Sequence, residues 1–443
     1  MNIFLLTLLL FLAGLTYLSY SKRIFSPPIM IIGGFAICTI ILISNESNWG
    51  YYLSGKTVLI IATSILTFLI GDIMGRTIIL FNNYRSELEC NSFKEKRNTY
   101  KIVCFNIKKN KALVLISILY SLIAFMLQIK YFYNISLLVG NKDGISGMFN
   151  YGAAIRSYVT HISVDRSNLE DLIVKLILPL SYVSFYLFIS NIVSGKKIRA
   201  NFILLITPII HLLCELLSTN RIGIIYILIY MTVCTIVVYS IKQKWSIRNN
   251  KKLIKILMLS CIVVFIFFRI SGYITHRGIG VTLMSQISEY TAGSLVALDY
   301  GLNGKAGIIT TASNLFGGIL RVTNKLGFTN ASFMSSNAEF VFWRNGSTNI
   351  YTAIYAYVCS FGYIGNYLVF LLMGMVFGRL FKKIMYYNHD PFVVITFSWF
   401  IFAPTLSCIA DRFLTQILVI NVVIQLIFLK LLLKFLKKKF DWI

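Results

Sequence analysis

Eight arginines are the residues of this sequence best suited to bind an anionic substrate; they are Arg156, Arg166, Arg221, Arg269, Arg277, Arg321, Arg344 and Arg412. A guanidinium group binds phosphate oxygens through a planar fork of donors and keeps its charge, so it can neutralise a diphosphate leaving group without a metal. We predict that Arg221, Arg277, Arg321 and Arg344 bind a pyrophosphate. The alternatives are a pairing of Arg221 with the nearby Glu215 and ordinary solvated positions for the other three.

A hydroxyl nucleophile reacts faster beside a general base whose pKa can be tuned. The candidate catalytic bases are Glu289, Asp299, Glu339 and His276, although each acid could simply belong to a polar helix face or loop. The sequence contains no Asp-x-Asp pair, His-Glu-x-x-His motif, Walker loop or Gly-x-Ser-x-Gly elbow. Neither a metal nor a cofactor is therefore predicted.

The composition requires a membrane to position these residues. With 57% hydrophobic and 13% charged residues, the 443-residue chain carries more apolar surface than one soluble core can hide. Because a bilayer core needs about 20 apolar residues per helix, we predict an all-α, polytopic membrane protein with about eleven spans. They are 3–20, 28–44, 57–74, 112–128, 172–192, 202–217, 222–240, 253–270, 363–380, 391–410 and 413–433.

The net charge of +26 raises the alternative of nucleic-acid binding, but the distribution of Lys and Arg decides against it. With alternate loops assigned to one side, 28 of the 42 basic residues lie in or beside the loops of that side. This bias predicts an extracytoplasmic N-terminus and a cytoplasmic C-terminus. The basic loop 76–111 is predicted to be solvated, with binding of anionic lipid headgroups as its functional alternative.

A single polytopic domain, 1–443, is predicted, and the segment 271–349 is its large extracytoplasmic loop. This loop is too apolar and aromatic for disorder, so we expect short interfacial helices, with an amphipathic one at 281–302. The motifs Gly71-x-x-x-Gly75 and Gly374-x-x-x-Gly378 predict close helix packing. No two cysteines share an exported loop, so no disulfide is expected.

Two short stretches carry a resemblance to a known family. The first is Asn349-Ile350-Tyr351-Thr352, followed by Phe361-Gly362-x-x-Gly365 and an apolar helix, and the second is the Tyr290 to Ser294 segment. Together with the topology, they resemble the Wzy-type polymerases of O-antigen and capsular polysaccharide. The chain has Ser360 where many members carry an acid, and its Gly223 is displaced from the position expected beside Arg221.

The resemblance implies a glycosyltransferase of the bacterial inner membrane that joins undecaprenyl-pyrophosphate-linked oligosaccharide repeat units on the extracytoplasmic face. It implies that Tyr290, Asn349 and Tyr351 contact the glycan. A flippase and a chain-length regulator of the same export pathway would be partners. Rival functions are a lipid-linked oligosaccharide flippase or other transporter, an O-antigen ligase, an O-acyltransferase and a nonenzymatic scaffold of the export complex.

Overall fold

The chain is mostly helical in the computed structural model, which describes residues 1–89, 102–161, 166–218, 221–274, 282–307, 309–333, 339–386, 390–437 and 439–442. The longer helices are α1 (Asn2–Ser19), α2 (Pro27–Ser44), α3 (Gly55–Glu89), α4 (Lys111–Leu138), α5 (Gly152–His161), α6 (Asn168–Val193), α7 (Ile206–Leu217), α8 (Arg221–Lys242), α9 (Asn250–Ile274), α10 (Leu283–Leu302), α11 (Gly317–Lys325), α12 (Ala353–Tyr386), α13 (Pro391–Phe400) and α14 (Ile420–Lys437). Helical segments of three or four residues cover Glu46–Trp49, Gly144–Gly147, Met148–Tyr151, Ile198–Asn201, Phe202–Leu205, Ile247–Asn249, Ala312–Leu315 and Phe402–Thr405. The strands are β1 (Val103–Phe105), β2 (Val341–Trp343), β3 (Gly346–Thr348) and β4 (Phe440–Trp442).

Eight helices within the described ranges are long and apolar enough to cross a membrane. They cover Asn2–Ser19, Pro27–Ser44, Gly55–Thr77, Lys111–Leu138, Asn168–Val193, Ile198–Leu217, Arg221–Lys242 and Ala353–Met385. The prediction of an all-α, multi-pass membrane protein is confirmed at this level. The count of eleven spans stays a prediction.

The last predicted span differs from the structure at its start. The predicted span covers 413–433, whereas α14 begins at Ile420. The Asp411 carboxylate accepts hydrogen bonds from the backbone N–H groups of Phe413, Leu414 and Thr415, at 3.0 to 3.1 Å. An aspartate that caps its own following turn in this way competes with a continuous helix, so the apolar residues after it form turns first.

The chain forms two compact units. The first contains 1–98, 282–388 and 400–422, and the second contains 99–281, 389–399 and 423–443. The predicted single domain stays a prediction.

The core of the first unit is the contact between α3 and α12, and small residues make it possible. A Cβ atom built on Gly71 would lie 2.1 Å from the carbonyl oxygen of Leu371, and one on Gly75 would lie 2.2 Å from that of Met375. Gly374 and Gly378 approach the carbonyl oxygens of Phe68 and Asp72 in the same way. The prediction that both small-residue motifs serve close packing is confirmed.

Replacing Gly71 by Ala is expected to lower the free energy of unfolding by about 1–3 kcal/mol, the usual cost of overpacking. The obstructing atom is a backbone oxygen, which cannot swing away as a side-chain end would. Thermal melting of the detergent-solubilised protein measures the effect. Gly14→Ala is the matched control because its Cβ would meet nothing within 4 Å; equal melting temperatures for the two variants would contradict the packing.

The second unit is built on α4, α6, α7 and α8, with a small sheet at one end of these helices. Strand β1 pairs antiparallel with β4. This pairing joins the segment after α3 to the C-terminal segment. Asn191 at the end of α6 fixes this sheet, because its side chain accepts from Phe105 N–H at 2.8 Å and donates to the Phe105 carbonyl at 3.0 Å.

Candidate functional site

The first unit brings together the two stretches that carry the family resemblance. Gly293 of α10 lies against the hairpin formed by β2 and β3, where its Cβ position is 3.1 Å from the Trp343 ring and 3.3 Å from Thr348. The neighbouring Ser294 donates a hydrogen bond of 2.6 Å to the carbonyl of Cys408. The small residues of the Tyr290 to Ser294 segment therefore allow the hairpin and the Cys408 backbone to pack directly on α10.

The Asn349 to Thr352 stretch connects this hairpin to α12. Thr352 is fully buried and caps α12, since its hydroxyl accepts the N–H of Tyr355 at 3.3 Å. Tyr351 is also buried; its hydroxyl donates to the carbonyl of Glu339 at 2.9 Å and its ring stacks on that of Tyr355 at 5.3 Å. The predicted glycan contact Tyr351 thus holds the loop together, whereas Asn349 is exposed.

Helix α12 is broken at Gly362, which has φ +69° and ψ −175°. This region of backbone space is essentially restricted to glycine. The break separates a first segment, Ala353 to Phe361, which is buried as far as Tyr357, from the long apolar segment that begins at Tyr363. Gly362, Tyr363 and Ile364 are exposed, so the break lies at the surface of the unit.

Glu289 is the predicted base whose environment suits proton transfer. It is half-buried on α10, and burial raises its pKa above the usual value. Within the described residues it makes no hydrogen bond or ion pair. Residues four apart lie on one helix face, which places Glu289 on the side of α10 that carries Gly293 and the hairpin.

Asp299, the second predicted base, is buried and fully hydrogen-bonded. Its carboxylate accepts from the hydroxyl of Tyr51 at 2.6 Å, from the N–H and hydroxyl of Ser54 at 3.0 and 2.6 Å, and from the hydroxyl of Thr57 at 2.5 Å. Burial alone would raise the pKa of Asp299, but these hydrogen bonds outweigh it and lower the pKa. A carboxylate that holds the start of α3 with all its contacts is better suited to structure than to accepting a proton.

Replacing Asp299 by Asn is expected to lower the free energy of unfolding by about 3 kcal/mol. The amide nitrogen of Asn is itself a donor, and it would face hydroxyl and N–H groups whose hydrogen bonds the carboxylate accepts. The pKa of Asp299 is lower in the folded protein than in the unfolded chain. The stabilisation from its ionised carboxylate is therefore fully present above the unfolded-state pKa and is lost as pH falls through the folded-state pKa. Melting curves from pH 7 to pH 3 measure both effects. Asp171→Asn is the control, because the Asp171 side chain is 41% exposed.

The third predicted acid, Glu339, is exposed where the chain enters the hairpin. Its Oε2 atom lies 3.1 Å from the Cβ position of Gly307. The hydroxyl of Tyr355 donates to the carbonyls of Ala306 and Gly307 at 3.1 and 2.9 Å, which fixes the segment against which Glu339 rests. Glu339 is accessible to a substrate, but solvent surrounds it.

Arg344 is exposed at the tip of the hairpin, where Asn345 adopts a left-handed conformation with φ +58°. The Asn345 side chain anchors this tip, donating to the carbonyl of Asn48 at 3.1 Å. Arg321 is also exposed, with its guanidinium 5.3 Å from the centroid of the Phe333 ring. Both predicted pyrophosphate ligands in this unit can therefore be reached from solvent.

Phe340 and Phe342, two aromatic residues of the same hairpin, suit a glycan by residue type, although neither is among the predicted site residues. They are 55% and 70% exposed, and their rings stack with centroids 6.1 Å apart. An exposed, stacked pair of rings is a better platform for a sugar face than the buried Tyr351. Side chains alternate between the two faces of a strand, so Phe342 lies on the face of β2 opposite Val341. This alternation is the feature of the sequence that indicates an exposed Phe342.

The structure describes two more of the predicted residues, and one of them lies in the first unit. Arg221 belongs to the second unit, where it is buried at the start of α8. The Glu215 carboxylate reaches the first turn of the same helix, 1.9 Å from the Cβ position of Gly223, where a helix N-terminus favours negative charge. His276 and Arg277 lie outside the described residues. Tyr290 is partly buried on α10.

In the part of the chain that the structure describes, no group of three or more His, Cys, Asp or Glu residues could hold a metal ion. Comparison with protein-family models, with curated proteins and with solved structures finds no match to this chain.

Proposed function

We propose that this protein polymerises undecaprenyl-pyrophosphate-linked oligosaccharide repeat units, as the Wzy-type polymerases do, on the extracytoplasmic face of the bacterial inner membrane. One observation carries the proposal: α10 with its half-buried Glu289 packs on the hairpin that presents Arg344 and leads into Asn349 to Thr352. A tunable base, accessible cations and exposed aromatic rings occur together in one unit, as transfer of a glycan from a diphosphate requires.

In the proposed reaction, Glu289 accepts the proton of an acceptor hydroxyl as that oxygen forms a bond to the anomeric carbon of the donor glycan. The bond from this carbon to the pyrophosphate oxygen breaks, and its electron pair leaves with undecaprenyl pyrophosphate. Arg344 and Arg321 neutralise the departing diphosphate through charge-assisted hydrogen bonds. Phe340 and Phe342 hold a sugar face, and Asn349 donates or accepts hydrogen bonds with sugar hydroxyls.

The proposal includes a topology of eleven spans, with the N-terminus outside and the C-terminus in the cytoplasm. The excess of Lys and Arg in alternate loops supports it. In this arrangement the segment 271–349 is extracytoplasmic, where it meets lipid-linked glycan after export by a flippase. A chain-length regulator is a further proposed partner, and binding of pyrophosphate by Arg221 and Arg277 stays a prediction from the sequence.

A transporter of lipid-linked oligosaccharide is the second candidate, and the break of α12 at Gly362 favours it. Discontinuous membrane helices form substrate sites in many secondary transporters, because the ends of the half-helices offer unpaired backbone groups. A transporter would use the same exposed arginines without breaking a glycosidic bond.

The surface glycan of a deletion strain separates these functions. We expect single-repeat chains on the cell surface, restored to a long ladder by the wild-type protein. Loss of surface glycan with internal accumulation of the lipid-linked unit would instead indicate the transporter, and long polymer that is not attached to its acceptor would indicate a ligase.

A further inference from the structure

An apolar groove with a volume of about 210 Å³ lies between α4, α6 and α14 in the second unit. Three of its lining residues carry hydroxyl groups, and each hydroxyl donates to a backbone carbonyl: Ser117 to Val114 at 2.8 Å, Tyr120 to Ile173 at 2.9 Å and Ser184 to Leu204 at 2.6 Å. The groove therefore has few polar groups left to offer, and its occupant should be a hydrocarbon.

The side chains at the rim show how an occupant enters. Ile116 and Phe435 line the groove and are 61% and 58% exposed. Since α4 is one of the helices apolar enough to cross a membrane, exposed apolar side chains on it face lipid. A hydrocarbon chain can enter from the side, directly from the bilayer.

Positive charge is concentrated at one end of this groove. Lys111 begins α4 two residues before the lining residue Leu113, and Lys434 and Lys437 flank Phe435 and Leu436 in the last turn of α14. Lys196 donates a hydrogen bond of 2.9 Å to the carbonyl of Phe105, which also lines the groove. Asp441 of β4 is the acidic residue nearby in sequence.

We propose that the groove binds one acyl chain of an anionic phospholipid, with the lipid phosphate among Lys111, Lys196, Lys434 and Lys437. An apolar groove with lysines at one end suits an amphiphile with a negatively charged headgroup. Each lysine near the headgroup of an anionic lipid strengthens the electrostatic attraction between protein and lipid. The volume exceeds the roughly 150 Å³ of a cavity that holds benzene, and so fits a segment of one unbranched chain. No residue of the candidate glycosyl-transfer site takes part, so this site is independent of the proposed function.

Native mass spectrometry of the full-length protein, titrated at low ionic strength with phosphatidylglycerol or phosphatidylethanolamine, tests the proposal. We expect tighter binding of phosphatidylglycerol, and the double variant Lys111→Gln, Lys434→Gln should weaken it about 30-fold. Ser117→Trp, which fills the groove, should remove binding at this site. The matched control is Lys242→Gln with Lys251→Gln, on α8 and α9, which do not line the groove.

Equal affinity for the two phospholipids, or wild-type affinity in the double lysine variant, would overturn the proposal. Stoichiometric displacement of phosphatidylglycerol by undecaprenyl phosphate would overturn it too, since the site would then belong to the polyprenyl carrier. Melting curves establish whether each variant folds. The lysine variant, which changes only accessible ends of side chains, decides the question if Ser117→Trp does not fold.

Discussion

Replacing Glu289 by Gln is expected to lower the rate of repeat-unit polymerisation by about 100-fold or more, the usual contribution of a general base. The amide retains the size and polarity of the carboxylate but cannot accept the proton of the acceptor hydroxyl. Because Glu289 makes no hydrogen bond or ion pair within the described residues, the substitution should leave the melting temperature unchanged. Loss of activity without loss of stability is the result expected of a catalytic base.

The pH dependence gives a second readout of the same residue. Burial raises the pKa of Glu289, so the carboxylate form appears at higher pH than for an exposed glutamate. We expect kcat/KM to fall as pH falls through this raised pKa, and the residual activity of Glu289→Gln to lack that acidic limb. Elongation of lipid-linked repeat units by the purified protein, followed across a pH series, measures the effect.

The matched control is Glu170→Gln in the second unit. Its carboxylate forms an exposed ion pair with Lys130 at 2.9 Å, and exposed pairs contribute little to stability. Wild-type activity and an unchanged pH profile in Glu289→Gln would exclude Glu289 as the base. Of the predicted catalytic acids that the structure describes, Glu339 would then remain as the one with an accessible carboxylate.

Sequence periodicity and small-residue spacing predicted much of the helical framework. The pairs Gly71 and Gly75, and Gly374 and Gly378, meet across the contact of α3 with α12 as their spacing indicated. A helix covers Leu283–Leu302, close to the stretch predicted as amphipathic. Both signals are local, because a helix repeats its contact face every three or four residues whichever partner it meets.

The role of Asp299 could not be predicted from the sequence, because its partners are 242 to 248 residues away along the chain. An acid in an amphipathic helix looks the same whether it faces solvent, a substrate or the start of another helix. Asp411 presents the same difficulty, since apolar residues follow it and only its contacts reveal the turns before α14. From the sequence alone, Glu289 and Asp299 are therefore equal candidates.

The role of Gly362 depends on its backbone conformation, which the Phe361-Gly362 motif does not indicate. The Phe-Gly pair stands in an apolar run, where a glycine is often only a packing residue, and the backbone angles cannot be read from the letters. A Cβ atom at this position would meet nothing within 4 Å. The requirement for glycine therefore comes from φ +69° and ψ −175° alone, a conformation that costs other residues about 1–3 kcal/mol.

Gly362→Ala is accordingly expected to lower the free energy of unfolding by about 1–3 kcal/mol, or to straighten α12. Asparagine, which tolerates the left-handed helical region, should not rescue the position because ψ is extended. Straightening would shift Ala353 to Phe361 relative to the following segment, together with the Asn349 to Thr352 stretch and the hairpin. Misplacement of reacting groups by about 1 Å can cost about 100-fold in rate, so polymerisation should fall more than stability does.

Thermal melting and glycan elongation, measured on the same preparations of Gly362→Ala and Gly362→Asn, separate the two effects. Gly33→Ala is the matched control, since Gly33 also lies in an apolar helix and its Cβ would meet nothing within 4 Å. If Gly362→Ala keeps wild-type activity and melting temperature, the break does not position the site. If Asn restores what Ala loses, the backbone at 362 is left-handed helical, and the specific requirement for glycine at this position is contradicted.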